Sequence, residues 1–497
     1  MLRIRKIITL FYFIISLTLI MPQSSTSSAS SDTKSKADSG ASSEGALGTV
    51  SIDGQIYNQI AFRPTIPIGK FAIALDIYMY FNDAGIYTEA WKFEDLGSTY
   101  RTIIDKIYFV RYGKWTDNFY IRAGALQQST LGQGILINNY SNVQQYPEIR
   151  RLGVEGKDRF KGIGIEAIVG DTKTIPSVLG ARLSYKPKKW IEGGVSFAMD
   201  LDQKKGLLDS DGDGYPDPYD FYPNNADKVD DTQEYLTDYN SIVESLDLVP
   251  TNDGFNDWWE THPDRNTYDS ENVGTDSFKA LAVDIIFPLT KNFKIYSQAA
   301  NYLDDNFFDG SGYGFVPVGA SARLGPFNFR SELRMCGENF LFNFWDQAYD
   351  LERAIVVNNE TITKSSTLDQ YQSMKGFFAE LTANLFDMVF VNAGYQWLFP
   401  NDDSESTNSL LGEIKVETRK IPKLNTARAY YSRTNDPKPY DFSNPSTSTL
   451  WGYELSLEAS EKVDLLYNAR TTYVADPSDP TIITPVESMQ IETKIKF

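Results

Sequence analysis

The sequence predicts an all-β chain, a transmembrane antiparallel β-barrel of about eighteen strands, with sixteen as the smaller alternative. Three observations predict it. Apolar and polar residues alternate with a period of two from about residue 70 onward. The alternating segments run about 9–12 residues, the length a tilted strand needs to cross a bilayer. The connections sort into two classes, tight turns at every second position and mostly long loops between them.

The alternation is explicit. Phe71, Ile73, Leu75, Ile77, Met79 and Phe81 interleave with Ala72, Ala74, Asp76, Tyr78 and Tyr80. Phe327, Phe329, Ser331, Leu333 and Met335 interleave with Asn328, Arg330, Glu332 and Arg334. Successive strand residues face opposite sides, so each segment has one greasy and one polar face. Strands are expected near 70–81, 103–112, 118–126, 150–157, 161–170, 178–186, 191–200, 278–288 and 291–303. Further strands are expected near 314–324, 326–336, 374–385, 388–399, 410–420, 423–433, 449–459, 462–474 and 486–497. Gln55–Arg63 reads as a further strand or as a lead-in. Tight turns such as 187–190, 289–290 and 386–387 alternate with connections such as 82–102, 127–149, 201–277 and 337–373. Short turns on one side and long loops on the other are the pattern of an outer-membrane barrel. Closure is obligatory there, because hydrocarbon offers no partner to the backbone groups of an open sheet edge.

Composition excludes much else. The 497 residues carry 47 Lys and Arg against 66 Asp and Glu, a net charge of −19. With 41% apolar residues and 14% aromatics, the chain is too aromatic for disorder and too polar for a helical membrane protein. One cysteine, Cys336, excludes an intrachain disulfide and a cysteine-based zinc site. One histidine, His262, excludes multi-histidine metal centres and leaves little for histidine acid–base chemistry. A pI near 4.6 argues against nucleic acid as a partner.

At the N-terminus Arg3, Arg5 and Lys6 precede the apolar run Ile7–Met21, and Ser27, Ser28 and Ala29 supply a cleavage site. This is the anatomy of a secretory signal peptide over residues 1–29. A Ser-rich linker over 30–52 and a barrel over 53–497 follow, with 201–276 inserted as one long loop. At the other end Met489, Ile491, Thr493, Ile495 and Phe497 alternate with Gln490, Glu492, Lys494 and Lys496. The segment resembles the C-terminal strand of Gram-negative outer-membrane β-barrels, porin-like proteins whose terminal aromatic is recognised by the barrel-assembly machinery. The resemblance implies outer-membrane lipid and that machinery as partners and Phe497 as the assembly signal. Porins are often trimers, which makes a homo-oligomer an expectation with no interface legible here. Trp115, Tyr185, Trp190, Trp397, Trp451 and Tyr473 fall near strand ends, where interfacial aromatic girdles lie.

If the apolar faces meet lipid, then Asp76, Arg111, Arg122, Glu166, Arg182, Arg330, Glu332, Arg334, Arg428 and Arg470 face the lumen. Charges of both signs would line a water-filled channel or pair to tie its wall. The connection 127–149, rich in Gln, Asn and Tyr, folds inward as a constriction or outward as a cap.

The acid is local. Residues 201–276 hold 20 Asp and Glu against four Lys and Arg, which leaves only −3 for the rest of the chain. Within them Asp209, Asp211, Asp213, Asp217 and Asp220 stand at positions 1, 3, 5, 9 and 12 of a loop whose position 6 is Gly214. Such spacing wraps hard oxygen ligands around calcium. Pro216 and Pro218 forbid the exiting helix of an EF-hand. The run resembles a thrombospondin type-3 calcium repeat, and the resemblance implies a structural calcium ion. A weaker echo at Asp253, Asp257 and Glu260 lacks the first acidic positions. Residues 231–249 begin like a capped helix within this loop.

The expected function is a porin-like channel for small hydrophilic solutes under a calcium-ordered extracellular cap, and not an enzyme. The alternative is a calcium-dependent surface adhesin or scaffold anchored by a closed barrel.

Overall fold

A computed structural model of the protein describes residues 42–496, except 53–54, 84, 89–90, 94, 147–148, 174, 210–212, 223–226, 247–248, 260–273, 304–311, 358–359, 402–404, 418–420 and 476–481. The signal peptide, the first part of the Ser-rich stretch, Asp211, Glu260, His262 and Phe497 lie outside the described residues.

Twenty strands form one closed sheet. In chain order they are β1 (Ser42–Ile52), β2 (Gln55–Ile68), β3 (Phe71–Leu75 with Ile77–Asn82), β4 (Ile107–Tyr112) and β5 (Phe119–Gly124). Then come β6 (Gly153–Phe160), β7 (Ile163–Val169), β8 (Leu179–Lys188), β9 (Ile191–Asp200) and β10 (Phe278–Pro288). The next five are β11 (Phe293–Tyr302), β12 (Tyr313–Leu324), β13 (Phe327–Cys336), β14 (Met374–Leu385) and β15 (Val389–Pro400). The last are β16 (Thr407–Glu417), β17 (Leu424–Asp436), β18 (Leu450–Ser460), β19 (Val463–Ala475) and β20 (Ile483–Lys496). Each pairs antiparallel with its chain neighbours, and β20 returns to β1 through Glu44 opposite Lys496 to Val50 opposite Gln490. No edge remains, which answers the backbone requirement of a bilayer.

Both alternations of the sequence are present. Along β8, Ala181, Leu183 and Tyr185 are exposed while Gly180, Arg182 and Ser184 are buried. The same order holds on β13, where Leu333 and Met335 are exposed beside buried Glu332 and Arg334. Exposed apolar side chains on β7 to β20 give the outer wall a lipid-compatible face, among them Ile165, Val195, Val283, Trp397, Trp451 and Ile491. Among the described residues no helix is long and apolar enough to cross a membrane. Tight turns close one end; at Lys161–Gly162 both residues take the left-handed backbone (φ 50° and 86°) that suits a two-residue hairpin.

Two expectations need correction. The barrel has twenty strands rather than eighteen, because it begins at Ser42 within the stretch read as a linker, and Gln55–Ile68 is a full strand. Pro64 and Pro67 lie inside β2, and they obscured it. The strand expected from residue 103 starts at Ile107, since Leu96–Ile104 forms helix α1 instead. There Leu96, Tyr100 and Ile103 recur at helical spacing. The 201–276 insertion contains helix α2 (Thr232–Ser245), as expected near 231–249, and a second helix, α3 (Asn252–Trp259).

Candidate functional site

The site is the lumen, and its wall charges are the place to begin. All ten inward candidates lie at buried or half-buried positions. Arg182 bonds Asp284 at 2.8 Å and stands 3.4 Å from Glu166. Glu332, fully buried, lies between Arg330 and Arg334, each 2.7 Å away, and accepts from Tyr296 Oη at 2.7 Å. Arg428 donates to Glu413 at 2.6 Å. Arg111 donates to the Gly113 carbonyl at 2.6 Å, and the Arg122 guanidinium lies 4.4 Å from the Phe109 ring centroid. Asp76 accepts from Arg63 at 2.8 Å and from Arg150 at 2.7 Å, and Arg63 also reaches Glu492 at 2.5 Å. Arg63 and Glu492 belong to this inner network too; Arg63 escaped sequence reasoning because its strand was ambiguous. Some of these charges pair between strands, as Arg182 does with Glu166 and Asp284, and others along one strand, as Arg330, Glu332 and Arg334 do on β13.

Several of them hold something more. The connection 125–152 turns inward and crosses the lumen. Arg330 donates to the Gln133 carbonyl at 2.5 Å and to Asn138 Oδ1 at 3.1 Å. Lys294 donates to Gln133 Oε1 at 2.8 Å, and Glu166 accepts from the Gly132 amide at 3.2 Å. On the far side Arg470 donates to the carbonyls of Gln144 and Tyr146, while Tyr146 donates to Asp76. One loop is therefore anchored on β3, β7, β11, β13 and β19. Of the two courses open to residues 127–149, the structure shows the inward one.

A second connection, 337–373, joins it. The pair shares an apolar core made of Leu131, Ile135, Ile137 and Tyr140 from the first loop and Phe340, Phe342, Phe344 and Trp345 from the second. The Asn138 amide donates to the Trp345 carbonyl at 3.1 Å. The wall makes room with glycines: a Cβ on Gly180 would lie 2.5 Å from Ile137 Cδ1, and one on Gly314 would overlap the Phe340 ring. Arg353 locks the second loop by donating to Asp200 at 2.7 and 2.9 Å and to the Asp202 carbonyl at 2.7 Å. Burial in this loop pushes the Glu352 carboxyl above the usual carboxylate range, although Lys364 lies 2.8 Å away. A signal for this loop was in the sequence: the run Phe340-Leu-Phe-Asn-Phe-Trp345 is too apolar for a solvated loop.

What the loops leave free is a cleft against β14 to β17, about 550 Å³ of atom-free space that includes its open mouth. Asn138, Asn139, Asn343 and Gln347 line it from the loops. Gln396, Ser409, Ser432, Thr434 and Asn435 line it from the wall, with Phe342 and Phe378 as its aromatic surfaces. Its two acids are faced by cations: Glu380 by Arg330 at 3.9 Å and Asp346 by Lys364 at 3.8 Å. This is a cleft edged by amides and hydroxyls, not the open bore of a twenty-stranded cylinder.

Among the described residues, none of the acidic insertion lines the cleft. Asp209 Oδ2 accepts from the Gly214 amide at 3.1 Å and Asp213 Oδ1 from the Tyr215 amide at 2.7 Å. The Asp217 amide bonds the Leu208 carbonyl at 2.7 Å, and Asp220 Oδ1 accepts from the Tyr222 amide at 2.7 Å. Gly214 takes φ 101°, as a sharp turn at position 6 requires. Among the described residues, no three acidic side chains converge as a metal site. Asp253 and Asp257 fall on α3.

No protein-family model matches the chain, and no curated protein matches it. It is similar to several solved structures. With OccK11 (OpdR) of Pseudomonas aeruginosa it shares 9% identity at a TM-score of 0.31, over 92% of this chain and 95% of that one. With a double mutant of the porin of Rh. blastica the values are 8%, 0.26, 92% and 99%. With the ferric-catecholate import receptor Fiu of E. coli K12 they are 8%, 0.36, 92% and 82%. The function is therefore argued from the lumen itself.

Proposed function

We propose that this chain is a bacterial outer-membrane channel for small hydrophilic solutes, narrowed by two of its own loops and covered by a calcium-ordered extracellular cap. The observation that carries the reading is the inward loop 125–152, tied to opposite walls yet leaving a polar cleft beside it. An anchor has no need to hold its lumen to a defined aperture, whereas a sieve does. The reading assigns the long loops to the cell exterior and the tight turns to the periplasm. It assigns assembly to the barrel-assembly machinery acting on the terminal strand β20.

The calcium part rests on the Asp209–Asp220 spacing and on the turn at Gly214. Hard carboxylate oxygens from Asp209, Asp211, Asp213, Asp217 and Asp220 suit that ion. When bound it would neutralise the charge that these side chains crowd into twelve residues. The test is conductance of the purified chain in a planar bilayer, with calcium and with chelator. Steady steps of small, uniform size support the channel. A sealed bilayer, together with calcium-dependent attachment of cells, would replace it with the adhesin reading. The absence of an enzymatic role belongs to the same proposal.

A further inference from the structure

Three asparagines that line the cleft hold a backbone most residues avoid. Asn139, Asn343 and Asn435 have φ values of 56°, 59° and 53°. Asparagine tolerates this left-handed region better than other residues with a side chain, and glycine tolerates it best. Three positions from three different segments, two in loops and Asn435 in β17, would be relaxed by glycine, yet each carries an amide beside the same space. Unfavourable backbone of this kind concentrates where side chains serve ligands.

The amides are also held in place. Asn138 Oδ1 accepts from Arg330 at 3.1 Å, the Gln396 carbonyl oxygen accepts from Arg334, and Asn139 Nδ2 donates to Glu380 at 3.4 Å. The charges therefore act behind the surface, orienting neutral groups toward the opening. At the surface itself, Asn343 Oδ1, Ser432 Oγ and Thr434 Oγ1 are buried and have no hydrogen-bond partner among the described residues. No lysine or arginine lines the cleft among those residues, and its two carboxylates already face cations. Half-buried Leu410 and Leu411 add apolar surface beside the buried rings of Phe342 and Phe378.

Taken together these features offer many donors and acceptors, little net field and an apolar surface. A charged solute gains little there and loses its hydration. A purely apolar solute leaves the amides unpaired, a penalty that hydrogen-bonding sites use to reject analogues. We infer that the cleft binds neutral polyhydroxylated solutes, small sugars, whose hydroxyls meet the amides and whose C–H groups meet Leu410 and Leu411. This inference rests on the channel reading, and it names the solute class that the channel selects.

The test is block of single-channel current by raffinose, compared with gluconate and with glucosamine. Asn343→Gly and Asn435→Gly keep the left-handed turns and remove only the amides. Raffinose is expected to interrupt the current reversibly where the charged sugars do not, and each glycine variant to weaken that block about tenfold, the worth of one hydrogen bond. Equal block by all three probes, or undiminished block in both variants, overturns the inference. If no current flows, the channel reading fails, and calorimetry with raffinose on the detergent-solubilised full chain decides the cleft alone. Heat that is lost in Asn343→Gly upholds sugar binding, and no heat overturns it.

Discussion

Glu332 is where the anchoring of the lumen can be tested most sharply. Its carboxylate is fully buried, with Arg330 and Arg334 each 2.7 Å away and Tyr296 Oη at the same distance. Arg334 is itself fully buried, and its guanidinium lies 4.1 Å from the Phe378 ring centroid. Replacing Glu332 with leucine strands Arg334 without its counter-charge, and removing one partner of such a pair costs ~3–5 kcal/mol. Replacing Glu332 with leucine and Arg334 with methionine together removes both charges at similar volume, so most of that loss should return. Arg330 keeps Glu380, the Gln133 carbonyl and Asn138 in either case. The assay is reversible urea unfolding of the folded barrel in lipid vesicles, followed by tryptophan fluorescence. A single variant that loses less than about 1 kcal/mol, or a double variant whose loss equals the sum of the two singles, would refute the reasoning.

The other predictions concern loops and cap. Gly314→Val places a branched side chain against the buried Phe340 ring, and overpacking of this kind costs ~1–3 kcal/mol. The second loop should loosen, seen as larger and noisier single-channel conductance; an unchanged trace would show that the loop does not set the aperture. Lys106, just past α1 and 3.8 Å from the Tyr78 ring centroid, is pushed down to about 7 by burial. Unfolded chain then binds more protons than folded chain between that value and the lysine norm. Its burial penalty is therefore full below pH 7 and relieved as pH rises. Hydrogen exchange across residues 91–106 should slow from pH 6 to pH 9 once intrinsic rates are corrected, and Lys106→Met should abolish that trend. For the cap, calorimetry on the full chain should show calcium uptake that Asp213→Asn weakens and that conductance need not follow; no heat at millimolar calcium removes the calcium reading.

Much of the barrel is written in local pattern. A spanning strand must show lipid one face and water the other, so period-two alternation marks β8, β10, β13 or β15 almost to the residue. The N-terminal hairpin escaped this logic for a physical reason. Ser42–Ile52 (SSEGALGTVSI) has little greasy face. It is a strand because β20 would otherwise present bare backbone to lipid, a need arising some 440 residues away in sequence. The lumen charges were legible as a set, but not their partners, since the closed sheet brings together residues such as Arg182 on β8 and Asp284 on β10 that lie 102 positions apart. Composition likewise located the acid in residues 201–276. Which long loop enters the lumen was a tertiary decision. Residues 125–152 could enter only because 337–373 brought Phe340 to Trp345 as a partner core and because glycines at 180 and 314 cleared the wall. Alternation along one strand is enforced by the solvent on each side and can be read locally. The aperture exists only where distant segments meet, so nothing local encodes it.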